Sequence, residues 1–249
     1  MIRIHVNGYL PDPESAKDLI YGDHWKASSE SKEIVDLRKY SHGVQDQRHT
    51  GSCVAHSVVK AIEIREAVEG KPHQDYSTLH LYYLARNLQV PRKTHVDAGT
   101  HIRLACNAVR KSGVCLESEW PFDLAKVNRP PSWLAMQSAY RRKIEGFYRI
   151  RAKGEKRLEE IRECLQAGYP VVFGTAVDDT WSRYQEGSED LKPVESATGR
   201  HATVLVGYEG ERFIGENSWG VSWGVNGCYY AHESLLSDSS TTDIWMVKL

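Results

Sequence analysis

A change in hydrophobic rhythm halfway along divides this 249-residue sequence. In the first half, apolar residues recur at helical spacing. VAHSVVKAIEIREAVEG sets Val54, Val58, Ile62 and Val68 roughly along one face, with Gly70 able to close the turn. YSTLHLYYLARNL (76–88) and THIRLACNAVRKSG (100–113) repeat the pattern. The second half breaks into short β-rich runs bounded by Gly, Pro or charge: KIEGFYRI, YPVVFGTAV, HATVLVGYEG, RFIGEN, GCYYAH and TDIWMVKL. One helix-like insert, GEKRLEEIRECLQAG, separates the first two. Helices first and strands afterwards predict an α+β protein of two lobes, with a cleft between them as the expected site.

Before Ile34 there is little periodicity and much Pro, Asp, Ser and Lys, so this stretch reads as an extended strap rather than a folded module. Composition then excludes several function classes. With 32 basic against 33 acidic residues the net charge is −1, which argues against nucleic acid or an anionic membrane as a partner held by bulk electrostatics. No run approaches the roughly 18 apolar residues of a membrane span. Seven Trp and 13 Tyr argue against disorder. The five cysteines, Cys53, Cys106, Cys115, Cys164 and Cys228, are odd in number and show no C-x-x-C spacing, so they do not read as a zinc site. The N-terminus lacks the apolar core and cleavage site of a Sec signal. The cytoplasm is the expected compartment, with specialised secretion left open.

Chemistry concentrates in two places. Cys53, in QRHTGSCVAHS, stands at the expected start of a helix, where free N–H groups and the dipole favour a thiolate. Gln47, six residues upstream, can fold a side-chain amide back beside the Cys53 N–H, the two donors of an oxyanion hole. His201 opens one apolar strand and Asn217 ends the next, sixteen residues on, with a short turn near Glu209-Gly210 able to bring them side by side. A nucleophile, a base and a group that orients the base are what nucleophilic catalysis requires.

Taken together, Gln47-x5-Cys53-x-Ala55-x-Ser57, His201-Ala202, Gly207-Tyr208 and Asn217-Ser218-Trp219-Gly220-x-Ser222-Trp223-Gly224-x-Asn226-Gly227 resemble the papain-like (C1 family) cysteine peptidases. Asp36-Leu37-Arg38 and GVCLESEWPF (113–122) resemble further segments of that family, and the likeness runs over about residues 33–249. It implies a papain-like fold, with a helical lobe roughly over 45–130 and an antiparallel β-barrel-like lobe roughly over 131–249, preceded by the strap at 1–32. It implies a cysteine endopeptidase acting on polypeptides through a Cys53–His201–Asn217 triad and an acyl-enzyme, with Gln47 and the Cys53 N–H as the oxyanion hole. It also implies substrate-binding roles for Gly99, Gly174 and Gly199, the last two near the second specificity pocket, and for Trp219, which shields the His–Asn hydrogen bond, and it implies no metal or organic cofactor.

The departures from the family pattern are Val54 for a Trp, Thr50 for a half-cystine, Arg200 before the histidine and Glu216 where Lys is usual. As a neighbouring cation, Arg200 is expected to lower both apparent pKa values of the Cys–His pair; the plainer alternative is that it points to solvent or pairs with Glu195 or Glu216. Two readings stay open beside the hydrolase: a transpeptidase or ligase passing the acyl group to an amine, and a non-catalytic binding module. The strap, long enough to cross the cleft, is a candidate for partial self-occlusion.

Overall fold

The computed structural model describes residues 7–28 and 30–249. A central helix, α1 (Cys53–Val68), carries twelve consecutive buried residues from Cys53 to Ile64. Polar His56, Ser57, Lys60 and Glu63 are buried in it along with the apolar residues, so it runs through the core rather than over it. Two further helices pack on it: α2 (Thr78–Asn87), capped by Ser77 whose Oγ accepts from the His80 N–H, and α3 (Ile102–Ser112), ended by Gly113. These three make the helical lobe.

The other lobe is built on one antiparallel sheet. Its strands are β1 (Ile34–Asp36), β2 (Gly146–Ile150), β3 (Val171–Val177), β4 (Gly199–Glu209), β5 (Arg212–Glu216), β6 (Cys228–His232) and β7 (Thr242–Lys248). They run in the order β2-β7-β3-β4-β5-β6, with β1 added alongside β4. Every residue of β3 is buried, which is why VVFGTAV reads as an unbroken apolar run rather than an alternating one. A long helix, α5 (Gly154–Gln166), packs on this lobe, as do the short helices α6 (Asp179–Arg183) and α7 (Glu233–Ser237). Another short helix, α4 (Trp133–Ala139), is capped by Ser132 and packs Ala135 and Ala139 with Cys115 and Trp120. One hydrophobic cluster joins the lobes, including Val54 and Ile64 of α1 with Val172, Val204 and Trp245 of the sheet.

The residues before β1 do not form a module of their own. Asn7 bridges to Arg200 on β4 and Tyr9 to Thr100 ahead of α3, so the strap passes between the two lobes. It is then anchored by charge and by aromatics. Asp18 accepts from Arg103 Nε at 2.7 Å and from Arg149 Nη1 at 3.0 Å. Tyr21 bonds the Arg149 backbone, and Trp25 packs on Tyr148 and Tyr169.

Candidate active site

Cys53 is the first residue of α1, and Ser52 supplies no side-chain cap. The Ser52 hydroxyl is engaged with Thr50 Oγ1 at 2.6 Å and His56 Nδ1 at 3.1 Å instead, so the first N–H groups of the helix stay open to the sulfur. The loop just before is pinned by Asp97, whose carboxylate accepts from the Gly51 N–H at 2.9 Å and from the Tyr82 hydroxyl at 2.5 Å. That clamp fixes the approach of the chain to Cys53.

His201 and Asn217 meet as the hairpin predicts, though by an offset. β4 and β5 pair Glu209 with Arg212 across the turn, and the register shifts between Leu205 and Gly207. Past this bulge Val204 faces Glu216, and Asn217 reaches back along the ladder to the imidazole. His201 Nε2 donates to Asn217 Oδ1 at 2.7 Å, and the same oxygen accepts from the Ser218 N–H at 2.8 Å. An acceptor on Nε2 holds the neutral ring's proton there and leaves Nδ1 with a lone pair. Trp219 stacks over the ring, centroids 4.6 Å apart, and is itself edged by Trp223 at 5.0 Å. Two indoles therefore keep water from the His–Asn bond.

Gln47 is fully buried and held at three points. Its backbone N–H donates to Ser218 O at 2.8 Å, its Nε2 to Thr50 O at 2.7 Å, and its Oε1 accepts from Ser218 Oγ at 2.6 Å. These bonds decide which end of the amide is nitrogen, and a second N–H remains on Nε2. Ser218 belongs to the motif around Asn217, but its contact with Gln47 spans 171 residues and has no local sequence signal.

The charge state differs from the thiolate expected at a helix start. Burial pushes the Cys53 thiol up to about 12, against the pull of the Ala202, Val54 and Cys53 N–H groups. Burial likewise drives His201 down to about 4, opposed by its bond to Asn217. The strap is the reason for that burial. Gly8 lies directly over the site, where an added Cβ would stand 2.8 Å from Cys53 Sγ. Under this cover the neutral thiol–imidazole pair is favoured, because neither group is charged and neither then loses hydration.

The glycines divide. Gly99 lies against the strap: a Cβ there would be 2.5 Å from Gly8 O. Gly174 faces Tyr9, whose ring would be 2.1 Å from a Cβ at that position. Gly199 lies elsewhere, opposite Val177, whereas Gly174 is opposite Ala202. Three register steps separate them, about 10 Å along the sheet. Arg200 is also apart from the chemistry. Side chains alternate along β4, so with His201 buried Arg200 is turned outward and exposed. Glu216 is spoken for by Lys60 of α1, at 3.5 Å. All five cysteines are free and buried, and among the described residues no group of His, Cys, Asp and Glu is arranged to hold a metal.

A family model described as papain family cysteine protease matches residues 31–240. The chain belongs to that family. It is 29% identical over 232 residues to an uncharacterized peptidase C1-like protein of Acanthamoeba polyphaga mimivirus, covering 86% of this chain and 74% of that one. It is 29% identical over 201 residues to human cathepsin O, covering 78% and 58% respectively. The structure is similar to xylellain, a cysteine protease from Xylella fastidiosa, with a TM-score of 0.84 at 26% identity, covering 100% of this chain and 97% of that one. The α+β, two-lobed papain-like architecture read from the sequence is the one observed. The chain spans between 37% and 74% of the length of the curated relatives it matches.

Proposed function

We propose that this protein is a cysteine endopeptidase that hydrolyses polypeptides through Cys53, His201 and Asn217, and that its N-terminal strap keeps it latent. The observation that carries the reading is the buried 2.7 Å bond from His201 Nε2 to Asn217 Oδ1, made on a strand whose Ala202 N–H faces the Cys53 sulfur. With the strap displaced, the Cys53 proton passes to His201 Nδ1 and the thiolate attacks the peptide carbonyl carbon. The oxyanion is met by Gln47 Nε2–H and the Cys53 N–H. His201 returns the proton to the leaving amine as the C–N bond breaks, leaving a thioester. Water then gives a proton to the imidazole and attacks; the C–S bond breaks, the thiolate takes the proton back and the acid departs. Asn217 keeps the ring in the tautomer that can do this.

The strap supports latency by where it runs. Its main chain is bonded to the helical lobe through Thr100, and Gly8 fills the space over Cys53 that a scissile bond needs. Two measurements test the reading. Alkylation of Cys53 by iodoacetamide, followed by mass, is expected to be slow in the full chain and fast once a strap substitution opens the cleft. Product masses from a peptide substrate, with and without an added amine, are expected to show the free acid in both. An amide product would instead make the enzyme an acyl transferase, and inert peptides beside a slow-labelling thiol would make it a binding module.

A further inference from the structure

The side chain next to Gly8 indicates what this cleft accepts. Tyr9 is 1% exposed and lies against Gly174 in the middle of β3, where any side chain would take the ring's place. The ring is delivered by main-chain bonds that any extended peptide can make: the Thr100 N–H donates to Gly8 O, and the Leu10 N–H donates to Thr100 O, both at 3.0 Å. The slot does not end in hydrocarbon. The Tyr9 hydroxyl meets Thr242 Oγ1 at 2.6 Å and donates to Asp243 Oδ2.

Asp243 is built into place. It stands at φ 52, left-handed backbone that few non-glycine residues adopt, just past the break in register between β3 and β7. Its other oxygen, Oδ1, is paired with Arg149. Oδ2 takes two donors, both from the strap: the Tyr9 hydroxyl and the Asp12 N–H. When the strap leaves, Oδ1 keeps its guanidinium and Oδ2 loses both partners at the foot of the slot that Tyr9 had filled. Such an oxygen favours a ligand that brings a donor and penalises one that does not. A phenol of the same reach restores the contact, whereas phenylalanine fills the slot and leaves the oxygen without a partner. A lysine or arginine gains less, because Arg149 already neutralises this carboxylate.

We propose that the pocket bounded by Gly174, Thr242 and Asp243 makes this enzyme select tyrosine over phenylalanine at the substrate residue that enters it. Thr242 and Asp243 are the specificity-determining residues, and the assignment rests on the peptidase reading above.

The test uses the full chain carrying Tyr9→Ala, which empties the pocket, and two fluorescent peptides that differ only in Tyr or Phe at that place. Cleavage is measured as kcat/KM. Binding is measured by anisotropy in the same protein carrying Cys53→Ala as well, so that it does not depend on turnover. Tyrosine is expected to be favoured roughly 10–100-fold in both. The ratio is expected to fall several-fold in Thr242→Val and in Asp243→Asn, since asparagine tolerates the left-handed backbone but carries no charge. General structural damage would lower both peptides together and leave the ratio unmoved. Equal handling of the two peptides, binding of neither, or a ratio indifferent to both substitutions overturns the assignment. Tyrosine-selective binding without cleavage of either peptide would overturn the hydrolase reading and leave the pocket standing.

Discussion

Gly8 packs on Cys53 with no room for a side chain: a Cβ at Gly8 would stand 2.8 Å from the sulfur and 2.6 Å from the carbonyl oxygen of Gly51. One of the obstacles is backbone, held in turn by Asp97, so it is the strap that must yield. Gly8→Ala is therefore expected to loosen closure by about 1–3 kcal/mol, raising the open fraction roughly 5- to 100-fold. Both kcat/KM on a peptide and the rate of Cys53 alkylation should rise. A folded variant with unchanged or lower values of both would remove the strap from regulation.

The grip of the strap also depends on pH through Asp12. Burial, then the charge of Asp243, push this carboxyl up from 3.8 to about 7, against the pull of Arg103 and of the Trp245 indole N–H. A carboxyl that holds its proton more tightly when closed stabilises closure fully below its ordinary value and stops doing so as pH rises through about 7. Closure is thus expected to weaken between about pH 4 and pH 7. The neighbouring His101 opposes this, because burial drives its pKa down and it favours release as pH falls. Asp12→Asn deletes the first contribution and keeps the second. The wild-type to Asp12→Asn ratio of Cys53 labelling rates should climb across that window, which also cancels the thiol's own titration. A flat ratio would show that Asp12 is not the trigger.

Gln47 and Ser218 should behave as one unit. Gln47→Ala removes the proposed oxyanion donor and is expected to lower kcat by about 10²–10³ with little change in KM. Ser218→Ala removes only the 2.6 Å bond that sets the amide's direction, and a loss of roughly 3- to 10-fold is expected. In a Gln47→Ala background the serine should then matter little. Full additivity would mean that Ser218 acts on something other than Gln47, and a change confined to KM would make Gln47 a binding residue.

Behind the site, Lys60 joins α1 to the end of β5, one residue before Asn217. Its ammonium pairs with Glu63 at 3.2 Å and Glu216 at 3.5 Å, all three side chains buried, and donates to Gly43 O at 2.7 Å nearer the surface. Burial lowers its pKa, but the two carboxylates outweigh that and hold it above its usual value. Lys60→Met would leave two buried carboxylates without a cation, at a cost of about 3–5 kcal/mol. Thermal unfolding should move down by roughly 6–20 °C. A shift of a degree or two would show that the pair is easily replaced.

Arg200, adjacent to the imidazole in sequence, is on the other face of β4 and exposed. Solvent screening across the strand leaves it little hold on the base. Arg200→Gln is expected to leave both limbs of the pH profile of kcat/KM in place. Limbs displaced to higher pH by about half a unit would restore it to the electrostatics of the site.

The sequence by itself determined the elements whose patterns are long or sharply bounded, and the residues whose spacing is local. Helices α1, α2, α3 and α5 follow from apolar residues repeated over three or more turns, and the strands β2 to β7 from short β-branched and aromatic runs between Gly, Pro and charge. The His201–Asn217 meeting was readable because one hairpin joins them, with Gly210 at φ 58 in its turn. The strand β1, of three residues, and the helices α4, α6 and α7, of five to seven, were not readable, since they are too short to express a period and are set by what they pack against.

Tertiary structure alone decided the rest. Tyr9 and Asp243 are 234 residues apart, and no local pattern says that the first hydroxyl of the strap ends on a carboxylate of the last strand. The charge state of Cys53 was decided the same way. A helix start favours a thiolate, but a strap laid over the sulfur replaces water with backbone, and desolvation acts on the charged form more strongly than the helix N–H groups do. Burial is a property of what comes to rest on a residue, and that is settled only when distant parts of the chain have met.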